Sequence, residues 1–288
     1  MKTADIRDRV TAADDVSLVP FSAHHLPGAL KLSQEMRWPY RIEDWAFALQ
    51  LGEGFVLERD GEVVGTAAWF PYGEDCATMG MIIVSGAVQG RGYGARLMDR
   101  LLSVAGARTV LLNSTEEGQL LYSRRGFRPA GTIHQHQGPA GQFEAPPLDV
   151  VRPMVASDVA AVARLDREAT GFERRPLLER LLEVGEADVL LQTGEVAGYA
   201  IARLFGRGHV IGPVVAPTAD AARLLILAAL SRLQGCFVRI DTAAETGLSA
   251  WLETIGLAQV SDALTMVRGT MPPSGPSRVF ALSNQSLN

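Results

Sequence analysis

The stretch "VSGAVQGRGYGARLMDRLL", residues 84–102, decides how the rest of the chain is interpreted. Three glycines, Gly90, Gly92 and Gly94, alternate with other residues between an apolar run and a segment with helical periodicity. Glycine accepts a positive φ and lets a ligand approach the backbone. The N–H groups at the start of a helix attract anions. The stretch therefore predicts a strand, a phosphate-binding turn and a helix.

Several classes of protein bind phosphate in this way, and the neighbouring residues discriminate between them. A P-loop needs Lys followed by Ser or Thr after its glycines, and this stretch has neither pair. A dinucleotide fingerprint matches at Gly90, Gly92 and Ala95. That fingerprint also needs an acidic residue at the end of the next strand, where this chain has Asn113 and Ser114. A dinucleotide-binding oxidoreductase, which predicts NAD as ligand, is the weaker alternative.

A third pattern extends beyond the glycines. Residues 89–95, "QGRGYGA", match the Q/R-x-x-G-x-G/A signature, and residues 121–127, "LYSRRGF", match L-Y-x-x-x-G-F. Thr115 and Gly118 fit the T-x-x-G-x-x-L-Y variant that precedes the second motif. Over residues 62–133 the chain thus resembles the GNAT-type N-acetyltransferases. The resemblance implies acetyl-CoA as cofactor, with its pyrophosphate on the N–H groups of the glycine turn.

Residues 136–149 contain prolines and glycines and have no apolar periodicity, which predicts a linker. After this linker the pattern of the first half begins again. The sequence on each side of the linker predicts the same order of elements. A strand and a helix come first, followed by a second helix, a hairpin, a strand, a helix and a last strand. The hairpins are indicated by Asp60-Gly61 and Thr193-Gly194. This order indicates a duplication of one α/β domain of the α+β type. The chain resembles bacterial tandem-GNAT proteins in this respect.

The family resemblance implies, for each half, a mixed and mostly antiparallel sheet with a splayed parallel pair and flanking helices. We expect a disordered tail at 1–15, a catalytic domain at 16–137, a linker at 138–149 and a second domain at 150–288. The stretch 278–288 is apolar enough to form a last, docked strand.

The resemblance assigns roles to individual residues. The Tyr122 hydroxyl is expected to protonate the leaving thiolate, and the Val84 N–H to hold the thioester oxygen. The strand before the glycine turn is expected to pair through its backbone with the pantetheine arm. The implied coenzyme contacts are Ile82, Ile83, Val84, Gln89, Gly90, Arg91, Gly92, Tyr93, Gly94, Ala95, Thr115, Gly118, Leu121, Tyr122 and Arg125.

The acceptor side is less well marked, because the strand "ATMGMIIVS", residues 77–85, lacks the Glu that many relatives use as general base. In the family the first two helices wall the acceptor pocket. Trp38, Tyr40, Asp44 and Trp45 lie in that region, and their rings and carboxylate suit an ammonium group. Packing of these aromatic residues in the core is an equally good interpretation.

The second half resembles the family less closely. Residues 216–222, "APTADAA", stand in place of the glycine turn, and Trp251 and Leu252 stand in place of Tyr122. We therefore expect a degenerate GNAT-like domain that binds no coenzyme. This second domain either lines the substrate pocket of the first half or only stabilises that half.

Composition limits the partners. The net charge of −5 argues against nucleic acid and favours a cationic small substrate. Two cysteines, Cys76 and Cys236, make neither a disulfide framework nor a zinc site, so no metal is expected.

No apolar run is long enough to cross a membrane, and the first residues are unlike a signal peptide, which predicts a cytoplasmic protein without membrane contact. A monomer and a homodimer are equally compatible.

The preferred function is transfer of acetyl from acetyl-CoA to a small-molecule primary amine. A protein lysine or N-terminus is the alternative acceptor. The non-enzyme alternative is an acyl-CoA sensor, which the missing strand Glu favours and which Tyr122 disfavours.

Overall fold

The structure is a computed structural model, and it describes residues 15–273 and 275–288. The predicted tail at 1–15 lies outside the described residues, apart from Asp15. The helices are α1 Leu26–Glu35, α2 Ile42–Leu51, α3 Tyr93–Ala105, α4 Gln119–Ser123, α5 Val159–Thr170, α6 Arg175–Val184, α7 Ala219–Arg232 and α8 Ser249–Thr254. The strands are β1 Val16–Pro20, β2 Glu53–Arg59, β3 Glu62–Tyr72, β4 Cys76–Val84, β5 Thr109–Ser114, β6 Arg128–Pro139, β7 Val151–Pro153, β8 Gly185–Gln192, β9 Glu195–Phe205, β10 Gly208–Ala216, β11 Phe237–Ala243, β12 Ala258–Arg268 and β13 Arg278–Ala281.

The strands of the described residues form one sheet in the order β1-β2-β3-β4-β5-β12-β6-β11-β10-β9-β8-β7, and β13 pairs with β10. Two pairs are parallel, β4 with β5 and β10 with β11, and the remaining pairs are antiparallel. This confirms the mixed, mostly antiparallel fold. It also excludes a doubly wound parallel sheet, which the dinucleotide alternative requires.

The turn chemistry explains the two hairpins. Asp60 and Gly61 have φ values of 53° and 79°, and Thr193 and Gly194 have 51° and 83°. Two consecutive positive φ angles give the turn whose twist matches that of antiparallel strands. The two halves therefore use the same local device at equivalent positions.

The two halves exchange their late strands. β12, from the second half, pairs with β5, and β6, from the first half, pairs with β11. β6 and β12 pair with each other in between. The predicted linker at 138–149 begins inside β6, which ends at Pro139. A boundary after residue 137 thus divides the sequence but not the sheet.

The core is shared in the same way. One hydrophobic cluster joins side chains of α1 and α2, such as Leu32 and Trp45, to side chains of α5 and α6, such as Leu165 and Leu178. Leu287 belongs to this cluster too. A second cluster lies under α3 on the opposite face of the first half, and a third lies under α7. Among the described helices, none combines the length and hydropathy needed to cross a membrane.

The shared sheet and core predict cooperative unfolding. We expect the full chain to unfold in a single calorimetric transition, because neither half completes its sheet without a strand from the other. Differential scanning calorimetry checks this through the agreement of calorimetric and van't Hoff enthalpies. Two resolved transitions, one for each half, would contradict the exchange.

Candidate active site

The candidate site lies where β4 and β5 separate. The parallel register runs from Cys76–Thr109 to Met79–Leu112, and the next residues of β4 have no partner on β5. The register of β4 against β3 shifts between Thr66 and Ala68, which marks a bulge, and Met81 in the bulge has a φ of 55°. The Thr66 hydroxyl donates to the Met81 carbonyl at 2.8 Å. Bulges of this kind redirect a strand beside functional sites.

The backbone of Val84 faces the opening. Ser85 donates its N–H to the Val64 carbonyl at 2.9 Å, and Val84 lies opposite Gly65 in the ladder. Bonded and non-bonded pairs alternate in an antiparallel ladder, so the Val84 N–H and carbonyl point away from β3. The Gln89 side chain donates to that carbonyl at 3.0 Å. The Val84 N–H is therefore directed into the opening and donates no hydrogen bond to β3.

The glycine turn follows β4 directly. Gly90 and Gly92 have φ values of 77° and 82°, and α3 begins at Tyr93 with Gly92 as its left-handed N-cap. A Cβ at Gly94 would lie 3.5 Å from Leu121 and 3.9 Å from Val84. The first turn of α3 therefore lies between the end of β4 and α4. The first N–H groups of a helix have no intrahelical acceptor and are available to an anion.

Tyr122 lies on α4 beside this turn. Its ring packs edge-to-face on Phe127 with 6.1 Å between centroids, and burial raises the pKa of its hydroxyl to about 12. No described residue forms a hydrogen bond to that hydroxyl. A Cβ at Gly118 would lie 2.7 Å from the Tyr122 ring and 3.0 Å from the Ser114 hydroxyl. Glycine at 118 thus lets the phenol ring lie close to the end of β5.

The remaining predicted coenzyme residues differ in their positions. Arg91 is exposed in the turn, Thr115 is exposed directly after β5, and Ile82 is half-buried on β4. Arg125 differs from the expectation, because its guanidinium binds both carboxylate oxygens of Asp99 at 2.6 and 3.0 Å and also the Leu121 carbonyl. Those bonds connect the end of α4 to α3. The Arg125 guanidinium therefore stabilises the packing of these two helices and is not directed at a phosphate.

Two of the predicted acceptor residues are buried in structural contacts. Trp45 is 1% exposed in the core and donates its indole N–H to Ser33 at 3.2 Å. Asp44 is 4% exposed, and its carboxylate accepts from the Arg41 backbone and guanidinium and from the Gly206 N–H at 3.0 Å. Asp44 therefore fastens the start of α2 to the second half. Both side chains are therefore committed to the protein interior and not to an acceptor pocket.

Trp38 and Tyr40 remain candidates, since both are half-buried on the loop between α1 and α2. The Tyr40 ring packs on Phe205 of the second half, with 5.3 Å between centroids. Burial raises the pKa of Tyr40, while Ser286 beside its hydroxyl and the Arg239 charge lower it. This loop thus brings the first half, the second half and residue 286 together.

The stretch 278–288 is docked, as predicted, and its first four residues form β13. The remainder, which we call segment 282–288, is a turn that crosses β4 and β5. Thr78 on β4 donates to the Ser286 carbonyl at 2.8 Å, and Asn113 on β5 donates to the Gln285 carbonyl at 2.8 Å. A Cβ at Gly80 would meet the Ser286 side chain at 2.5 Å. Sequence patterns gave no sign that this segment reaches the first half.

The equivalent opening in the second half is filled. β4 and β10 each have nine residues, and their bulges lie one residue apart, between Gly80 and Ile83 in β4 and between Ile211 and Val214 in β10. Counted along the strands, Val214–Ala216 of β10 correspond to Ile82–Val84 of β4. β13 pairs with those three residues, and Thr242 on β11 donates to the Phe280 carbonyl at 2.7 Å. At α7 the Thr218 hydroxyl accepts from the Ala221 N–H. In the second half the chain itself thus pairs with the strand end that borders the opening in the first half.

One group of possible metal ligands occurs among the described residues, formed by His24, His25 and Glu58. Nδ1 of His25 accepts from the Ser22 N–H at 3.0 Å, so its Nε2 carries the proton donated to Glu58 at 3.1 Å. Both nitrogens of His25 are therefore engaged within the protein. The cluster fits a capped helix start better than a metal centre.

Comparison with known proteins agrees with this geometry. Residues 50–129 and residues 162–281 each match a family model described as an acetyltransferase (GNAT) domain. The chain is 25% identical over 277 residues to the uncharacterized N-acetyltransferase YitH of Bacillus subtilis (strain 168), covering 94% of this chain and 98% of the relative.

Two solved structures show the same fold at low identity. A putative acetyltransferase from Pyrococcus horikoshii superposes with a TM-score of 0.80 at 18% identity, over 96% of each chain. A tandem GNAT protein from the clavulanic acid biosynthesis pathway gives a TM-score of 0.64 at 17% identity, over 90% of this chain and 99% of its own. With its two matched domains, the chain belongs to the GNAT acetyltransferase family and is an N-acetyltransferase with two GNAT domains in tandem.

Proposed function

We propose that the first half transfers acetyl from acetyl-CoA directly to an amine. The observation that carries the proposal is the opening between β4 and β5, which has the Val84 N–H on one edge and leads directly into the glycine turn at the start of α3. A ligand with an extended arm joined to a pyrophosphate fits that arrangement. GNAT domains generally use acetyl-CoA, which has this shape.

The residues present fit such a ligand. Ile82, Ile83 and Val84 have no β5 partner, and Val84 directs its backbone N–H and carbonyl away from β3. The N–H groups around Gly92 and Gly94 offer an anion site at the helix start. Gln89 holds the Val84 carbonyl, which fixes the strand end beside the turn. Arg91, exposed beside the turn, adds positive charge near the phosphates.

Acetyl-CoA supplies the activated thioester carbonyl. The Val84 N–H is placed to stabilise the negative charge that develops on the thioester oxygen. Tyr122 keeps its proton at neutral pH, since its pKa is raised, and donates it to the sulfur as the C–S bond breaks. The amine forms the new C–N bond and releases one proton to water, and the Tyr122 phenolate takes one proton back from water. The atoms therefore balance as an N-acetyl product and the free thiol.

We propose a small-molecule primary amine as the acceptor. The acceptor side is framed by Trp38, Tyr40 and the second half, which is a crowded approach for a protein chain. The second half is proposed to bind no coenzyme, because β13 fills its opening. A cytoplasmic location, in monomeric or homodimeric form, is part of the same proposal.

A thiol-release assay with a panel of amines tests this function. We expect acetyl-CoA-dependent thiol release with at least one small primary amine and the matching N-acetyl product by mass spectrometry. A lysine-containing peptide serves as the protein-acceptor comparison. Tight acetyl-CoA binding without turnover of any amine or peptide would favour an acyl-CoA sensor instead.

A further inference from the structure

We propose that segment 282–288 forms the acceptor-side wall of the first half's active site, and that Ser286 sets the width of the amine that reaches the thioester. The inference rests on the transferase function proposed above. It assigns a specificity role to a stretch that belongs, by sequence, to the second half. The segment arrives there because β13 anchors it in the second half's own opening.

Ser286 lies against β4 at the start of the opening, as two contacts on one face of the strand show. Thr78 and Gly80 project from the same face of β4, since alternate residues of a strand share a face. The Thr78 hydroxyl binds the Ser286 carbonyl, and the Ser286 side chain lies where a Cβ of Gly80 would be. Gly80 follows the last β4 residue that pairs with β5. Ser286 therefore lies against the point where the opening begins.

Ser286 lies on the face of the sheet opposite to the one that packs on α3. Tyr93 and Tyr122 belong to the cluster under α3, together with Met79 of β4. A coenzyme bound at the start of α3 reaches the opening from that side. The acceptor must then approach from the opposite face, where Ser286 and Tyr40 lie. The small Ser286 side chain and the Tyr40 ring thus border the approach of the amine.

The segment is built to stay in place. Four successive carbonyls, at residues 285–288, accept hydrogen bonds from four different side chains of both halves, which are Asn113, Thr78, Tyr72 and Arg174. Asn284 accepts from the N–H groups of Ser286 and Leu287 at 2.8 and 2.9 Å, which fixes the turn. Leu287 is 1% exposed in the shared core. A fixed wall agrees with these contacts better than a removable plug.

Two substitutions at Ser286 test the proposal, one that widens and one that narrows the space left for the amine. Ser286→Gly should raise kcat/KM for a branched amine relative to its straight-chain isomer about tenfold, and Ser286→Val should lower the same ratio about tenfold, as one or two methyl groups do in a binding pocket. The affinity for acetyl-CoA should stay unchanged in both variants. Ser283→Ala is the matched control, since Ser283 is buried in the same segment but bonds to Asn288.

The outcomes separate the two claims. An unchanged amine ratio in both Ser286 variants, with normal turnover, would overturn the wall and leave the transferase function intact. Faster turnover of every amine in Ser286→Val would show a plug that has to leave, which also overturns the wall. Absence of acetyl-CoA binding or of all turnover in the unaltered chain would contradict the function, and the wall with it.

Discussion

Tyr122→Phe is expected to lower kcat for amine acetylation about 10²- to 10⁴-fold, the range for loss of a positioned acid. The dissociation constant of acetyl-CoA should change by no more than about twofold, because the ring that packs on Phe127 is retained. The hydroxyl has no hydrogen-bond partner among the described residues, so the free energy of unfolding should change by less than about 0.5 kcal/mol. Steady-state kinetics, coenzyme titration and thermal melts measure the three quantities.

The pH profile gives an independent readout of the same hydroxyl. Burial raises the pKa of Tyr122 to about 12, so the protonated donor persists throughout the range in which alkylamines lose their proton. For the unaltered chain, kcat/KM should therefore rise with pH as the amine is deprotonated and should not decline through Tyr122 below about pH 11. Ser123→Ala, on the same helix but exposed, is the control. An undiminished kcat in Tyr122→Phe would contradict the acid role.

Gly92→Val is expected to weaken acetyl-CoA binding about 10- to 100-fold. Gly92 has φ 82° and ψ 6°, and a β-branched residue is strained in that region. Relief of the strain moves the start of α3 and turns its N–H groups away from the phosphates. Loss of one or two charge-assisted hydrogen bonds corresponds to that change in affinity. Isothermal titration calorimetry measures it.

Gly247→Val is the matched control for strain. Gly247 has φ 73° and ψ 10°, nearly the same backbone conformation, and both glycines have open space where a Cβ would lie. Both variants should lose about 1–2 kcal/mol of stability, the cost of a left-handed conformation. Only Gly92→Val should lose coenzyme affinity. Equal affinities of the two variants for acetyl-CoA would show that the glycine turn does not bind the coenzyme.

The local parts of the site are predictable from sequence because each has a local cause. The hairpin at Asp60-Gly61 and the start of α3 after Gly92 follow from turn chemistry and helical periodicity. The duplication predicts the same order of helices and strands in the two halves, and the structure has it. These features depend on residues that are neighbours in the chain, so a pattern of a few residues is enough to reveal them.

The long-range parts are not predictable in this way. Exchange of β6 and β12 satisfies the same hydrogen bonds as unexchanged strands, and nothing in either strand's alternation distinguishes the two arrangements. Asp44 has the residue type of an ammonium ligand, but it is used by Arg41 and by Gly206, which is far away in sequence. Arg125 is similarly occupied by Asp99. Competition among internal partners decides such cases, and it is settled only in the folded chain.

The central claim is that one coenzyme binds, in the first half, at the opening between β4 and β5. Titration of the unaltered chain with acetyl-CoA by calorimetry tests it most directly, with NAD as the comparison ligand. We expect one acetyl-CoA site per chain, lost or strongly weakened in Gly92→Val, and no NAD binding. Two acetyl-CoA sites per chain, or binding of NAD in place of acetyl-CoA, would contradict it.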